Sequence, residues 1–131
     1  MRARKITYWI ATGLVAFVFI AGGAIDAARP RFVAELMDHL GYPAYFALII
    51  GVWKVLGGIA VLLPGLPRLK EWAYAGMVFD LTGASASHAA VGDTLGEILT
   101  PLIILVIVAA SWALRPPSRR LALYESLNRT N

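Results

Sequence analysis

The stretch Gly51-Val52-Trp53-Lys54-Val55-Leu56-Gly57-Gly58 places one lysine in the middle of an otherwise apolar run, residues 43–63. About 20 consecutive apolar residues are enough for a helix to cross the hydrocarbon core of a bilayer. A charge at the centre of such a helix costs about 2.5–3.5 kcal/mol on insertion scales, so it is rare and usually has a partner. The run therefore predicts a membrane span whose buried lysine needs a partner of opposite charge.

The composition of the whole chain is that of a membrane protein. Of its 131 residues 59% are hydrophobic and 15% are charged, whereas soluble domains carry about 25% charged residues. The net charge of +4 comes from basic residues at the ends of apolar segments, so it does not predict nucleic-acid binding. The absence of cysteine excludes thiolate nucleophiles and iron–sulfur ligation within this chain.

Four apolar segments predict an all-α membrane four-helix bundle that forms a single transmembrane domain over residues 1–131. The predicted spans cover residues 6–28, 43–63, 69–90 and 95–114. The breaks between them are Arg29-Pro30, Pro64-Gly65-Leu66-Pro67 and Gly92-Asp93. Thr94 and Glu97 fit a capping box at the start of the fourth span, and Pro101 is expected to kink that span.

Residues 31–40 are too few and too polar to span, and they predict a short amphipathic helix at the membrane surface after the first span. Its apolar residues recur at helical spacing: Phe32, Val33, Leu36, Met37 and Leu40. Gly41 is expected to cap this helix and Pro43 to start the next one. A structured loop is the alternative for this segment.

The distribution of basic residues predicts the orientation of the chain. Nine lie on one side: Arg2, Arg4, Lys5, Arg68, Lys70, Arg115, Arg119, Arg120 and Arg129. Two lie on the other side: Arg29 and Arg31. The positive-inside rule therefore places both termini in the cytoplasm.

Lys54 and Asp80 are predicted to form an ion pair inside the bundle. Lys54 lies about 16 Å along the helix from Pro43, and Asp80 about 15 Å from Lys70, at 1.5 Å per residue. Since the two spans are antiparallel, both residues fall near the middle of the membrane, each on a face rich in glycine and alanine that favours close packing. The pair suits a proton relay or a polar anchor for a buried ligand, or else it is a structural ion pair that fixes helix register.

A second group of polar residues is predicted to line a pocket open to the outer leaflet. Asp26 ends the first span, Ser87 and His88 end the third, and Glu97 opens the fourth. Histidine changes its charge near neutral pH, so His88 suits proton exchange with a quinone or a similar head group. The alternative is ordinary interfacial polarity, and for Glu97 the capping box alone.

No metal or haem site is predicted. The chain has two histidines, and one of them, His39, falls in the surface segment. The clustered cysteine and histidine ligands typical of zinc sites are absent, and bis-histidine haem ligation would need a dimer.

Four segments carry a resemblance to a known family: Leu40-Gly41-Tyr42-Pro43, Ile50-Gly51-Val52-Trp53-Lys54-Val55-Leu56-Gly57, Arg68-Leu69-Lys70-Glu71-Trp72-Ala73-Tyr74-Ala75-Gly76, and Phe79-Asp80-Leu81-Thr82-Gly83-Ala84 with Ser87-His88 after it. Over roughly residues 6–114 the chain resembles the DoxX-like family of small four-span bacterial membrane proteins. The wider group is similar to the membrane subunits of thiosulfate:quinone oxidoreductases, and it includes partners of redox-stress enzymes and assembly or cargo-receptor proteins. The resemblance implies a multi-pass protein of the bacterial inner membrane and transfers no catalytic residue.

These observations lead to one function hypothesis and two alternatives. The chain is expected to bind a small lipophile, a quinone as its cofactor or ligand, as a membrane subunit of a redox-linked system. The alternatives are a non-enzymatic scaffold or assembly partner and a proton-coupled transporter, although four spans without an inverted repeat argue against transport. The expected partners are the lipid bilayer, a lipophilic small molecule and a second copy or another protein.

Overall fold

The computed structural model describes residues 2–120, and over this range the chain forms five α-helices, a short 3₁₀ helix and no strand. The helices are α1 (Arg2–Ala28), α2 (Arg31–Leu40), α3 (Ala44–Leu62), α4 (Pro67–Ala90) and α5 (Leu95–Ala113), and the 3₁₀ helix is Pro117–Arg119. The predicted all-α class is confirmed, and a helix rather than a loop follows the first long helix. Arg129, which was counted for the orientation, lies outside the described residues.

The helices begin and end at the predicted turn residues because these signals act locally. Gly41 adopts the left-handed conformation (φ 84°), and its amide donates to carbonyls at the end of α2. Pro67 begins α4, where a residue without an amide proton costs no hydrogen bond. At α5 the Thr94 hydroxyl accepts from the Glu97 amide, and the Glu97 carboxylate accepts from the Thr94 amide, which is the predicted capping box.

Three of the described helices, α1, α3 and α5, are long and apolar enough to cross a bilayer. Helix α4 has 24 residues, about 36 Å at 1.5 Å per residue, so its length also suffices. Its composition is less apolar because Arg68, Lys70 and Glu71 lie in its first turns and Asp80 lies near its middle. The chain is therefore a membrane protein with three strongly apolar helices and one long helix that carries buried charge.

Helix α1 packs most extensively along α3, α4 packs along α5, and the α1–α5 and α3–α4 contacts are smaller. The core between them is apolar and includes Val15, Phe19, Val61, Met77 and Val108. One buried hydroxyl network crosses this core. The Ser111 hydroxyl of α5 lies 2.6 Å from that of Thr12 in α1 and 2.7 Å from that of Tyr74 in α4, so three helices share one polar centre.

Helices α1 and α3 approach most closely where Gly23 faces Gly51. A Cβ added to Gly23 would lie 2.6 Å from the Gly51 carbonyl oxygen, and one added to Gly51 would lie 2.5 Å from the Ala27 amide nitrogen. Both obstacles are backbone atoms, which cannot rotate away as a side chain can. The small residues of α3 thus serve close packing, as the sequence predicted, but the neighbour at this contact is α1.

We expect Gly51→Ala to lower the free energy of unfolding by about 1–3 kcal/mol, because overpacking a tight contact forces the two backbones apart. Gly13→Ala is the matched control, since a Cβ there meets nothing within 4 Å and alanine favours the helix. Thermal unfolding in mild detergent measures both variants. Equal stability of the two would contradict the tight crossing of α1 and α3.

Candidate functional site

Lys54 forms its ion pair with Asp26 of α1. The Lys54 Nζ donates to Asp26 Oδ2 at 2.9 Å, and the two side chains are 19% and 25% exposed. The same ammonium lies 5.9 Å from the centre of the Phe19 ring, a cation–π distance. This corrects the direct Lys54–Asp80 pair expected from the sequence. The tight glycine contact lays α3 against α1, and the flexible lysine stem reaches along α1 to Asp26.

Asp80 is the second carboxylate near this lysine. It lies within electrostatic reach of both Lys54 and Asp26, and it lines the same cavity as Lys54 without being in ion-pair contact with it. The lysine is therefore faced by one carboxylate from α1 and another from α4. Sequence reasoning identified all three residues but assigned Asp26 to a different group.

The space between α3 and α4 is a cavity of about 570 Å³. Its walls are almost entirely apolar and include the rings of Phe19, Trp53 and Trp72, while Lys54 and Asp80 are its ionisable lining residues. Cavities of roughly 300–1,000 Å³ with apolar walls and a few polar groups are typical small-molecule sites. Trp72 lies near the start of α4, where an aromatic belt at the membrane surface is expected, and Trp53 lies deeper, beside Lys54 in α3. The structure places both in the cavity wall.

A second polar cluster lies where α2, the end of α4 and the α4–α5 turn meet. Asp93 Oδ1 lies 2.6 Å from His39 Nε2, and Asp93 Oδ2 lies 2.6 Å from His88 Nδ1. The hydrogen bond from His88, and next that from His39, holds the pKa of Asp93 below its ordinary value. Sequence reasoning missed Asp93 and His39 as site residues because 54 positions separate them.

The four residues predicted to line an outer pocket do not all lie together in the structure. His88 and Glu97 do lie together, and their ligand atoms and that of Asp93 are all within 4.8 Å of one another. Asp26 instead pairs with Lys54. The Ser87 hydroxyl lies 2.7 Å from that of Tyr42, so Ser87 ties the chain before α3 to α4.

Two basic residues at the opposite end of the bundle bind backbone rather than solvent. Lys70 is fully buried, and its Nζ donates to the carbonyls of Ala60, Leu63 and Gly65. Arg119 donates to the carbonyl of Val61 at 3.1 Å. The last carbonyls of α3 have no partner within the helix, so these cations supply one and also oppose the negative end of the helix dipole.

Comparison with protein-family models matches residues 10–111 to the DoxX-like family. The match includes most of α1 and nearly all of α5, with everything between them, so it contains Asp26, Lys54 and Asp80 as well as the cluster around Asp93. Comparison with curated proteins and with solved structures gave no match. The match covers more than half of the chain, which therefore belongs to the DoxX-like family.

Proposed function

We propose that this chain binds a small lipophilic molecule with a polar head group, of the quinone type, in the cavity between α3 and α4. The observation that carries the proposal is the cavity itself, about 570 Å³ with apolar walls and the two ionisable groups Lys54 and Asp80. A hydrophobic ring or tail suits the walls, and a carbonyl or hydroxyl suits the charged groups. Fixed polar groups in an apolar site set the orientation of a ligand.

Lys54 is suited to bind a head group because its ammonium has hydrogen-bond donors that Asp26 does not use. One of its three protons goes to Asp26 at 2.9 Å, which leaves the others for a carbonyl oxygen of the ligand. Asp80 lies on the opposite helix and accepts from, or when protonated donates to, a second oxygen. Such a site binds and orients a quinone while a partner supplies the electrons, so we propose a membrane subunit of a redox-linked system.

We infer that α4 crosses the membrane with α1, α3 and α5 as a four-helix bundle, with both termini in the cytoplasm. The charges of α4 do not oppose this, because Asp80 lines the cavity, Lys70 is buried against α3 and Glu71 pairs with Arg115. Helix α2 then lies at the outer surface, with its Arg31–Glu35 pair exposed. The count of nine basic residues against two supports this orientation.

We expect Gly76→Leu to weaken the binding of a short-chain benzoquinone about tenfold or more, equivalent to about 1.4 kcal/mol. Gly76 lines the cavity, and a Cβ there meets nothing within 4 Å, so we expect the leucine side chain to occupy the space of the ligand. Quenching of the fluorescence of Trp53 and Trp72, which line the cavity, reports binding in mild detergent.

Gly83→Leu is the matched control for this experiment. Gly83 lies on α4 about two turns from Gly76, has equally open space around it, and does not line the cavity. It should bind the quinone as the natural chain does. Non-saturating quenching that is the same in all three proteins would overturn the proposal, because it would reflect only quinone dissolved in the micelle.

A scaffold or assembly role is the second candidate, and the exposed surface of α5 favours it. Leu95, Ile103 and Val106 of this helix are all more than 60% exposed. Such a surface accepts lipid or the face of another membrane protein. A chain that purifies with a protein partner in fixed ratio, and with no bound lipophile, would favour this role over the first.

A further inference from the structure

Four side chains with metal-binding atoms meet at the end of the bundle where α2, α4 and α5 come together. His39 comes from α2, His88 from the last turn of α4, Asp93 from the following turn and Glu97 from the first turn of α5. The ligand atoms of His88, Asp93 and Glu97 lie within 4.8 Å of one another. His39 Nε2 lies 2.6 Å from the Asp93 oxygen that does not face His88.

We propose that His88, Asp93 and Glu97 bind a divalent transition-metal ion, Zn²⁺ in the first place, with His39 as the residue that positions Asp93. Zinc binds histidine nitrogen and carboxylate oxygen at about 2.0–2.2 Å, so two ligands of a tetrahedral ion lie about 3.3–3.6 Å apart. The observed spacing, up to 4.8 Å, therefore needs the side chains to move inward by about 1 Å when the ion binds. Three protein ligands leave one tetrahedral position open for solvent.

Each proposed ligand can offer an atom to the ion. That atom is either free, or its only hydrogen bond is to another residue of the cluster. At the start of α5 the Thr94 amide and the Thr94 hydroxyl both donate hydrogen bonds to Oε2 of Glu97. The other carboxylate oxygen, Oε1, is left for the metal. His88 exchanges its hydrogen bond to Asp93 for the metal. His39 keeps its own bond to the other oxygen of Asp93, an arrangement in which an outer partner orients a metal ligand.

The charge and the accessibility of the cluster both favour a cation. Asp93 and Glu97 supply two carboxylates, and Asp93 is hydrogen-bonded to both histidines. Glu97 is exposed and the His39 side chain is 52% exposed, so an ion can enter from water. The sequence argued against zinc because it lacks clustered cysteine and histidine ligands. The fold removes that objection, since Asp93 contacts both histidines.

The test is titration of the detergent-purified chain, carrying a tag without histidine and stripped with a chelator, with ZnCl₂ by calorimetry. We expect one Zn²⁺ per chain, and Co²⁺ absorption in the visible range as a second readout. His88→Ala, Asp93→Asn and Glu97→Gln should each weaken binding about tenfold or more, because losing even an outer partner of a metal ligand costs 10–100-fold. Glu35→Gln is the control, since it removes an exposed carboxylate of α2 that pairs with Arg31.

The proposal is overturned if the natural chain shows no saturable binding of Zn²⁺ or Co²⁺. It is equally overturned if Glu97→Gln binds Zn²⁺ with unchanged affinity. Glutamine can take the place of glutamate in a capping box, so this variant tests the site even where Asp93→Asn fails to fold. Loss of affinity in Glu35→Gln as large as in His88→Ala would also contradict the site, because it would indicate diffuse attraction to surface charge.

Discussion

Lys54→Met should lower the free energy of unfolding by about 3 kcal/mol, because it leaves the carboxylates of Asp26 and Asp80 without a cation in a poorly solvated interior. Removing one member of a buried ion pair costs about 3–5 kcal/mol, and the partial exposure of this pair, 19% and 25%, places it at the lower end. Asp26→Asn should cost less, since Asp80 remains within electrostatic reach of the lysine. Unfolding in mild detergent, followed by circular dichroism, measures both.

The double variant Lys54→Met/Asp26→Leu separates a true pair from two independent effects. Residues in contact should couple by about 0.5–3 kcal/mol, so the double variant should recover much of the loss. Lys54→Met/Asp80→Leu should recover less, because Asp80 is not in ion-pair contact with the lysine. Simple addition of the single effects of Lys54→Met and Asp26→Leu would contradict the pair. Recovery of stability without recovery of quinone binding would give the lysine a role in the ligand site.

Lys70→Met should also cost about 3 kcal/mol or more, because it removes the donor shared by three carbonyls at the end of α3. A hydrogen bond to a charged group contributes about 1.5–3 kcal/mol, and a buried carbonyl left without a partner adds a desolvation penalty. The side chain of Lys70 is fully buried, with its Nζ on the carbonyls of Ala60, Leu63 and Gly65.

Arg68→Met is the control for Lys70→Met, since Arg68 belongs to the same basic segment but is exposed. A surface substitution of this kind usually changes stability by no more than about 0.5 kcal/mol. Equal thermal midpoints of the two variants would show that Lys70 contributes only to the orientation of the chain in the membrane and not to its stability. A large loss confined to Lys70→Met would show that it completes the end of α3.

The helix boundaries could be predicted from the sequence because each is set by a few neighbouring residues. Gly41 needs only its own left-handed backbone to end α2, and Thr94 needs only Glu97, three residues on, to start α5. The partner of Lys54 could not be predicted in this way. The depth of Lys54 and its face of small residues follow from the sequence, but a helix that is apolar on all sides does not show which neighbour packs on that face. The close contact between Gly23 and Gly51 shows that the helix packed on this face is α1.

The polar clusters at the two ends of the bundle show the same limit. Asp93 and His39 are 54 positions apart, so nothing in the local pattern joins them, and Asp93 was recognised only as a turn residue. Lys70 was counted for orientation alone. A signal for its role did exist, because the free carbonyls at the end of α3 precede it by only a few residues and must find donors.

The most direct test of lipophile binding is mass spectrometry of the small molecules released from the chain after purification from its native membrane in mild detergent. The natural chain and Gly83→Leu should carry one class of lipophile, enriched over the bulk lipid and close to one molecule per chain. Gly76→Leu, whose side chain fills the cavity, should lose it. Release of the same bulk lipids, in the same proportions, from all three proteins would contradict a ligand site between α3 and α4.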